Sequence, residues 1–195
     1  EGSAKFINAF FRNPKIKDAV ENMLYARDGL MIGICNGFQA LIKLGLVPFG
    51  KIVPLSGESP TLTYNTIGRH QSQLALTKIC TNKSPWLMHC KVGEIYNIPI
   101  SHGEGRFVAS DEVIAKLIEN GQIATQYVDL NGEPTMELAY NPNSSMCAIE
   151  GIISPDGRVL GKMGHTERIS TDTCVNVDGN KEQLLFKGGV DYFRL

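Results

Sequence analysis

The segment at residues 30–44, LMIGICNGFQALIKL, constrains the fold of this chain more than any other. The pattern predicts a buried strand over residues 30–34, a sharp turn, and a helix over residues 37–44 that ends at Gly45. A cysteine between two glycines on such a turn is typical of a nucleophile elbow, because small neighbours let backbone and substrate pass close to the reacting atom. The alternative is a tight turn that holds an incidental small hydrophobe.

The elbow would activate Cys35 in two ways. The backbone N–H of the next residue, Asn36, would point at an oxyanion that develops on the substrate. The N-terminus of the following helix would stabilise a thiolate through its dipole and lower the pKa of the thiol. These are properties of the predicted backbone, so they hold only if the strand-turn-helix arrangement forms.

The surrounding pattern predicts an α/β domain. Asn13 as the N-cap and Pro14 in the first turn begin a helix before the strand, and Gly29 ends it. A helix on either side of a short buried strand is typical of an α/β fold with a parallel sheet. Further along, strands are predicted at TLTYN, QLALTKIC and WLMHCKV, and a helix over residues 111–120. A hairpin is predicted around the turn PDG, with SSMCAIEGIIS and RVLGKMGH as its two strands. A last helix is predicted in the tail EQLLFKGGVDYF.

Composition removes several functional classes. The chain is 43% hydrophobic, carries a net charge of −1 and has no long run of one sign, so neither nucleic acid nor a membrane is an expected partner. Its five cysteines are an odd number without Cys-x-x-Cys spacing, which favours free thiols in the cytoplasm and no metal site. Four of them are interpreted as small buried hydrophobes: Cys80, Cys90, Cys147 and Cys174.

A nucleophilic cysteine needs a base, and the base needs an orienting group. His165 follows directly after a predicted strand, and Glu167 stands two residues further on. Strand ends at the carboxyl edge of a sheet are where ligands bind in α/β folds, and Cys35 also stands at a strand end. Convergence of Cys35, His165 and Glu167 is therefore predicted. The other histidines fit less well: His70 in a polar stretch, His89 in an apolar one and His102 in a loop-like segment.

At these residues the chain resembles a known family, the class I (triad) glutamine amidotransferases. GICNGFQ and GHTER carry that resemblance. Four longer segments narrow the resemblance to the glutaminase domains of the phosphoribosylformylglycinamidine synthases. They are FFRNPKI, LMIGICNGFQALIKLGLVP, NIPISHGEGRF and the ending GVDYF. The resemblance covers almost the whole chain. It implies a flavodoxin-like open sheet, mostly parallel, with an inserted antiparallel region.

The resemblance also implies roles for individual residues. Cys35 becomes the nucleophile, His165 its base and Glu167 the orienting carboxylate. Gln39 resembles the glutamine-contacting residue of the family's Gly-x-Cys-x-Gly-x-Gln pattern, although an ordinary polar helix residue is the alternative. SHGEGRF resembles the segment that lines the glutamine pocket, which adds weaker binding candidates: His102, Gly103 and Glu104.

The implied activity is hydrolysis of L-glutamine to glutamate and ammonia. Ammonia would pass to a synthetase domain, in the same chain or tightly associated, which converts formylglycinamide ribonucleotide to its amidine in purine biosynthesis. That partner, part of an ATP-dependent C–N ligase, would use ATP and magnesium, and this domain would need no cofactor. Three alternatives stay open: a glutaminase for another acceptor, a cysteine peptidase or deglycase on the same scaffold, and a truncated, non-catalytic fragment. Peptidases and deglycases usually have histidine after the nucleophile, where this chain has Asn36.

The sequence departs from the family pattern in two places. Many relatives have proline between the histidine and the glutamate, where this chain has Thr166. The family's domain also begins tens of residues before the motif EGSAKF. Residues 1–195 are therefore expected to form one N-terminally incomplete glutaminase domain, which lacks the first strand and a glycine-rich loop that would belong to the same domain.

Overall fold

A mixed β-sheet organises the part of the chain that the computed structural model describes, residues 2–170 and 172–194. The strands are β1 Met31–Ile34, β2 Thr61–Thr63, β3 Gln71–Ile79, β4 Ile95–His102, β5 Arg106–Val108, β6 Ile123–Tyr127, β7 Ile149–Ile153 and β8 Val159–Lys162. Six of them form one sheet in the order β1-β8-β7-β6-β3-β4, and β2 pairs with β5 separately.

Six α-helices lie within the described residues, and the sequence predicted all but the first and the fourth. They are α1 Gly2–Phe11, α2 Pro14–Glu21, α3 Asn36–Leu44, the single turn α4 Leu46–Phe49, α5 Asp111–Glu119 and α6 Leu185–Tyr192. The side chain of Asn13 caps α2 by accepting from the Lys15 N–H at 3.1 Å, as the sequence predicts. The chain then continues through a π-helical turn, Asn22–Ala26, so the regular helix ends well before Gly29. Gly45 ends α3 in the left-handed conformation, with φ 86°.

The α/β class is confirmed, and the sheet is mixed. Within the described residues only β1 and β8 pair in parallel, while β8–β7, β7–β6, β6–β3 and β3–β4 are antiparallel. The expected predominance of parallel pairing therefore does not hold for this sheet. The physical reason is the connections: the short PDG turn after β7 reverses the chain, whereas parallel neighbours need a long crossover.

One predicted strand was wrong, and β4, β5 and β6 were not among the predicted strands. WLMHCKV is not a strand, because Ser84 and Pro85 start a 3₁₀ turn over Pro85–Leu87, in which the Ser84 hydroxyl accepts from the Trp86 N–H at 3.3 Å. The strand lies later, at Ile95–His102, where alternate side chains are buried. His102 therefore ends a strand instead of lying in a loop.

Helix α3 lies against β1 and β8 at two glycines. A Cβ on Gly33 would be 2.5 Å from Leu41 Cδ1, and a Cβ on Gly161 would be 2.2 Å from Phe38 Cδ2. Both distances are far below carbon–carbon contact, so only glycine lets the helix approach this closely. The close approach seats the elbow on the carboxyl ends of β1 and β8.

Two of the cysteine interpretations were wrong. Cys90 is buried, as expected, and Cys80 is partly buried, but Cys147 and Cys174 are exposed. Both exposed cysteines have positive φ values, 50° and 55°, which place them on turns instead of in the core. Among the described residues, no helix has the length and apolar character needed to cross a membrane.

Candidate active site

The elbow forms where the sequence predicts it. Cys35 joins β1 to α3 with φ 53° and ψ −104°, a conformation that non-glycine residues rarely adopt. Its N–H donates to the Lys162 carbonyl at 2.8 Å, which continues the parallel pairing of β1 and β8 by one residue. Such strain is found where the surrounding structure enforces it, and it often marks a functional position. Asn36 begins α3, so its backbone N–H lies at the positive end of the helix.

His165 and Glu167 form a hydrogen-bonded pair after β8. The imidazole Nδ1 and a carboxylate oxygen of Glu167 are 2.5 Å apart. Glu167 lies in the 3₁₀ turn Thr166–Arg168, which brings its side chain back to the histidine two residues earlier. The His165 side chain is 8% exposed and that of Glu167 39%. The bond holds Nδ1 on the carboxylate, so Nε2 is the nitrogen that remains for a reacting group, and it has no hydrogen-bond partner among the described residues.

Strand β4 brings the elbow and the histidine together. The Cys35 thiol donates to the Ser101 carbonyl at 3.7 Å, and the His165 N–H donates to the Pro99 carbonyl at 2.8 Å. Carbonyls two residues apart on a strand point the same way and lie about 7 Å from each other. The sulfur and the histidine backbone are thus held on one edge of β4, although 130 residues separate Cys35 from His165 in the chain. Cys35 and His165 therefore contact the same stretch of β4, and their convergence with Glu167 into a catalytic triad stays a prediction.

The loop after β4 lies against the elbow helix. The buried side chain of Gln39 donates to the Glu104 carbonyl at 2.6 Å. This contact places the loop at residues 103–105 against α3, one helical turn beyond Cys35. Gln39 thus has a structural partner, and substrate contact by Gln39, Gly103 or Glu104 stays a prediction.

His102 lies beneath that loop and not on its surface. Its side chain is 1% exposed, and neither ring nitrogen has a hydrogen-bond partner among the described residues. A Cβ on Gly105 would be 2.6 Å from its Nδ1, so the ring packs directly against the loop backbone. Burial lowers the pKa of His102 to about 4, which keeps the imidazole neutral at physiological pH. Its predicted role in binding glutamine stays a prediction.

The other two histidines have partners of their own. His70 shares a hydrogen bond of 3.0 Å with the hydroxyl of Ser101, whose carbonyl accepts from the Cys35 thiol. His89 bonds the Asp191 carboxylate at 2.8 Å, and it is exposed although it lies in an apolar stretch of the sequence.

Two buried asparagines hold the loop and were missed from the sequence. Asn65 accepts from the Gly105 N–H at 3.1 Å and donates to the His102 carbonyl at 2.9 Å. Asn143 donates to the Gly105 carbonyl at 2.8 Å. Lone asparagines in irregular segments carry no periodic signal, so only the folded chain reveals them as supports. Their hydrogen bonds fix the backbone that faces the elbow.

The site offers acid–base and nucleophilic groups instead of metal ligands. Within the described ranges no group of three or more histidine, cysteine, aspartate or glutamate side chains could hold a metal ion. A cysteine on a strained elbow at a helix N-terminus can attack a carbonyl carbon when a carboxylate-bound imidazole takes its proton, and both groups contact β4.

Known proteins with similar sequences are glutamine amidotransferases. A family model described as a CobB/CobQ-like glutamine amidotransferase domain matches residues 1–193. The chain is 36% identical over 184 residues to the phosphoribosylformylglycinamidine synthase subunit PurQ of Chlorobium chlorochromatii, covering 90% of this chain and 67% of the relative. It is also 36% identical to PurQ of Moorella thermoacetica, covering 80% of this chain and 61% of the relative. The chain thus spans roughly three fifths to two thirds of these curated relatives.

Solved structures agree with these sequence relatives. The chain is similar to the structure of PurLQS from Thermotoga maritima, with a TM-score of 0.63 and 28% identity over 90% of this chain and 68% of that one. It also shares a fold with the glutaminase domain of Trypanosoma brucei CTPS, at a TM-score of 0.50 and 16% identity, over 94% of this chain and 78% of that domain.

Proposed function

The chain belongs to the CobB/CobQ-like glutamine amidotransferase family, and we propose that it hydrolyses L-glutamine to glutamate and ammonia through a thioester on Cys35. The observation that carries the proposal is the junction of a strained cysteine elbow with a carboxylate-bound histidine on one edge of β4. Either feature alone has a structural explanation. Together they supply the nucleophile, the base and the orienting group that amide cleavage needs.

The reaction proceeds in two halves. His165 Nε2 takes the thiol proton, the Cys35 sulfur bonds to the side-chain carbonyl carbon of glutamine, and the Asn36 N–H stabilises the oxyanion. His165 then gives its proton to the departing nitrogen, so the C–N bond breaks and ammonia leaves. A water molecule next loses a proton to His165 and attacks the thioester, which releases glutamate and restores the thiol. Glu167 keeps Nδ1 protonated through both halves and stabilises the imidazolium.

The ammonia serves a synthetase partner that makes formylglycinamidine ribonucleotide in purine biosynthesis. The support is the similarity to PurQ subunits and to a PurLQS structure. We assign ATP and magnesium to that partner, and no cofactor to the glutaminase domain. We place the reaction in the cytoplasm, where free thiols persist.

Substitution of the nucleophile tests the proposal. Cys35→Ser in the full-length protein, assayed with its synthetase partner, should abolish glutamine-dependent amidine synthesis and leave ammonia-dependent synthesis intact. A glutamine-like chloroketone should label Cys35, mapped by peptide mass spectrometry, and the exposed Cys147 and Cys174 serve as internal controls for non-specific labelling. Retained glutamine-dependent activity in the variant, or labelling at the control cysteines instead of Cys35, would refute the assignment. Loss of ammonia-dependent synthesis would refute the division of labour.

A further inference from the structure

A buried ion pair lies directly behind the turn that carries His165. Glu150 on β7 and Lys162 at the end of β8 are 0% and 1% exposed, with 3.7 Å between a carboxylate oxygen and the ammonium nitrogen. Among the described residues they are the only fully buried lysine, arginine, aspartate or glutamate side chains. Desolvation of two charges usually offsets most of their attraction, so stability alone is a weak reason for such a pair.

The lysine nitrogen has as many acceptors as an ammonium ion has protons. Its three protons match three acceptors: the Gly164 carbonyl at 3.2 Å, the Thr166 hydroxyl at 3.0 Å and the Gln183 side-chain oxygen at 3.0 Å. The Thr166 hydroxyl in turn donates a hydrogen bond to the Gln183 side-chain oxygen at 2.7 Å. Burial lowers the pKa of Lys162, and the Glu150 carboxylate opposes that shift. Two of the three acceptors belong to the residues on either side of His165.

The glutamate completes the arrangement. One of its oxygens accepts from the Gly164 N–H at 2.5 Å, and the other accepts from the Thr125 hydroxyl. A Cβ on Gly164 would be 2.9 Å from the Glu150 carboxylate, so glycine is required for this bond. The pair therefore holds both polar groups of the Gly164 backbone and the side chain of Thr166.

We propose that Glu150 and Lys162 are positioning residues that fix the backbone of His165 for catalysis. His165 adopts φ −89° and ψ 74°, an irregular conformation close to an inverse γ-turn, and the pair holds the residues on both sides of it. Neither member of the pair touches the substrate. The inference rests on the proposed glutaminase reaction, because it assigns a role in that reaction.

A double variant removes both charges without leaving either one unpaired. Glu150→Gln with Lys162→Met keeps similar volumes and should fold, since neutral replacement of a buried pair is commonly tolerated. In the full-length protein with its synthetase, kcat for glutamine hydrolysis should fall about tenfold or more, as misplacement of a reacting group by a fraction of an ångström predicts. KM should change by less than about twofold, because no substrate contact is removed.

Alkylation of Cys35 by iodoacetamide gives a readout that a loss of stability would not move. At pH 7 the thiolate depends on the nearby imidazole, so the double variant should react more slowly, by about tenfold. Well above pH 9 a thiol ionises unaided, and the two rates should converge. Faster labelling of the variant at every pH would indicate general loosening and would overturn the proposal.

Three further variants keep the test decisive if the double variant fails to fold. Thr166→Val removes the hydroxyl that accepts from Lys162 but leaves the ion pair intact, and it should lower kcat. Thr166→Ser keeps the hydroxyl and should retain the kcat of the unaltered protein. Ser84→Ala removes a 2.6 Å bond to the Gly157 carbonyl at the opposite end of β8, and should reduce stability without lowering kcat.

The outcomes separate the two proposals. Full kcat in a folded double variant, or equal kcat in the two Thr166 variants, overturns the positioning role. Absence of glutamine hydrolysis by the unaltered protein with its synthetase overturns the proposed function instead.

Discussion

Replacement of Gly33 by alanine tests how the elbow is held. The added Cβ would lie 2.5 Å from Leu41 Cδ1 and 2.7 Å from the backbone carbon and oxygen of Gly37. Carbon atoms in contact lie about 3.5–4.0 Å apart, so the shortfall is close to 1 Å. Leu41 can rotate, but the Gly37 backbone moves only if the N-terminus of α3 moves. We expect Gly33→Ala to destabilise by about 1–3 kcal/mol. A shift near 1 Å beside Cys35 should lower kcat about 100-fold.

The matched control lies in the same motif. A Cβ on Gly37 would meet nothing within 4 Å, so Gly37→Ala should keep or raise stability, by up to about 1 kcal/mol, because alanine favours a helix. Thermal unfolding of the full-length protein measures both variants, and a change of 1 kcal/mol corresponds to about 2–4 °C at this size. Glutaminase kcat is measured on the same preparations. A Gly33→Ala variant that unfolds like the parent and turns over at its rate would refute the steric reasoning.

Two more predictions use the histidines. Glu167→Gln should lower kcat about 10- to 100-fold with little change in KM, because it weakens a charge-assisted bond worth about 1.5–3 kcal/mol. Glu58→Gln, at an exposed carboxylate far from the pair in the sequence, is the control, and an effect of Glu167→Gln confined to KM would contradict the orienting role. Burial lowers the pKa of His102 to about 4, so the unfolded chain binds the proton more readily and stability should fall as the pH drops from about 6.5 to about 4. Chemical unfolding at several pH values should show a flatter dependence for His102→Asn, and equal slopes for the two proteins would count against it.

Local signals predicted the elements that carry the reacting groups. These signals act over a few residues, so they can be recognised without the rest of the fold. They are the apolar run before Cys35, the glycines around it and the PDG turn before β8. The same holds for the Asn13 cap and the Gly45 terminus. The residue pattern around His165 and Glu167 placed both after a strand, and the structure joins them in a hydrogen bond.

Strand pairing was harder to predict. The apolar run WLMHCKV favours a strand, but the Ser84-Pro85 turn prevents one from forming there. The alternation of buried and partly exposed side chains along β4 is visible in the sequence, although no strand was predicted there. The direction of strand pairing depends on which strands become neighbours, and that choice is made by the whole sheet.

The amino-acid order by itself determined that Cys35 sits on an elbow, because a few adjacent residues set the backbone there. Only the tertiary structure decided which distant groups hold the segments around the predicted site: the carbonyls of β4, the asparagines that bond the loop at Gly105, and the ion pair of Glu150 and Lys162. These partners are distant along the chain, and their bonds form only when separate strands pack side by side. The sequence does not distinguish a charged strand residue that faces water from one that faces a buried partner. Only the burial of the side chain in the folded chain separates these two cases.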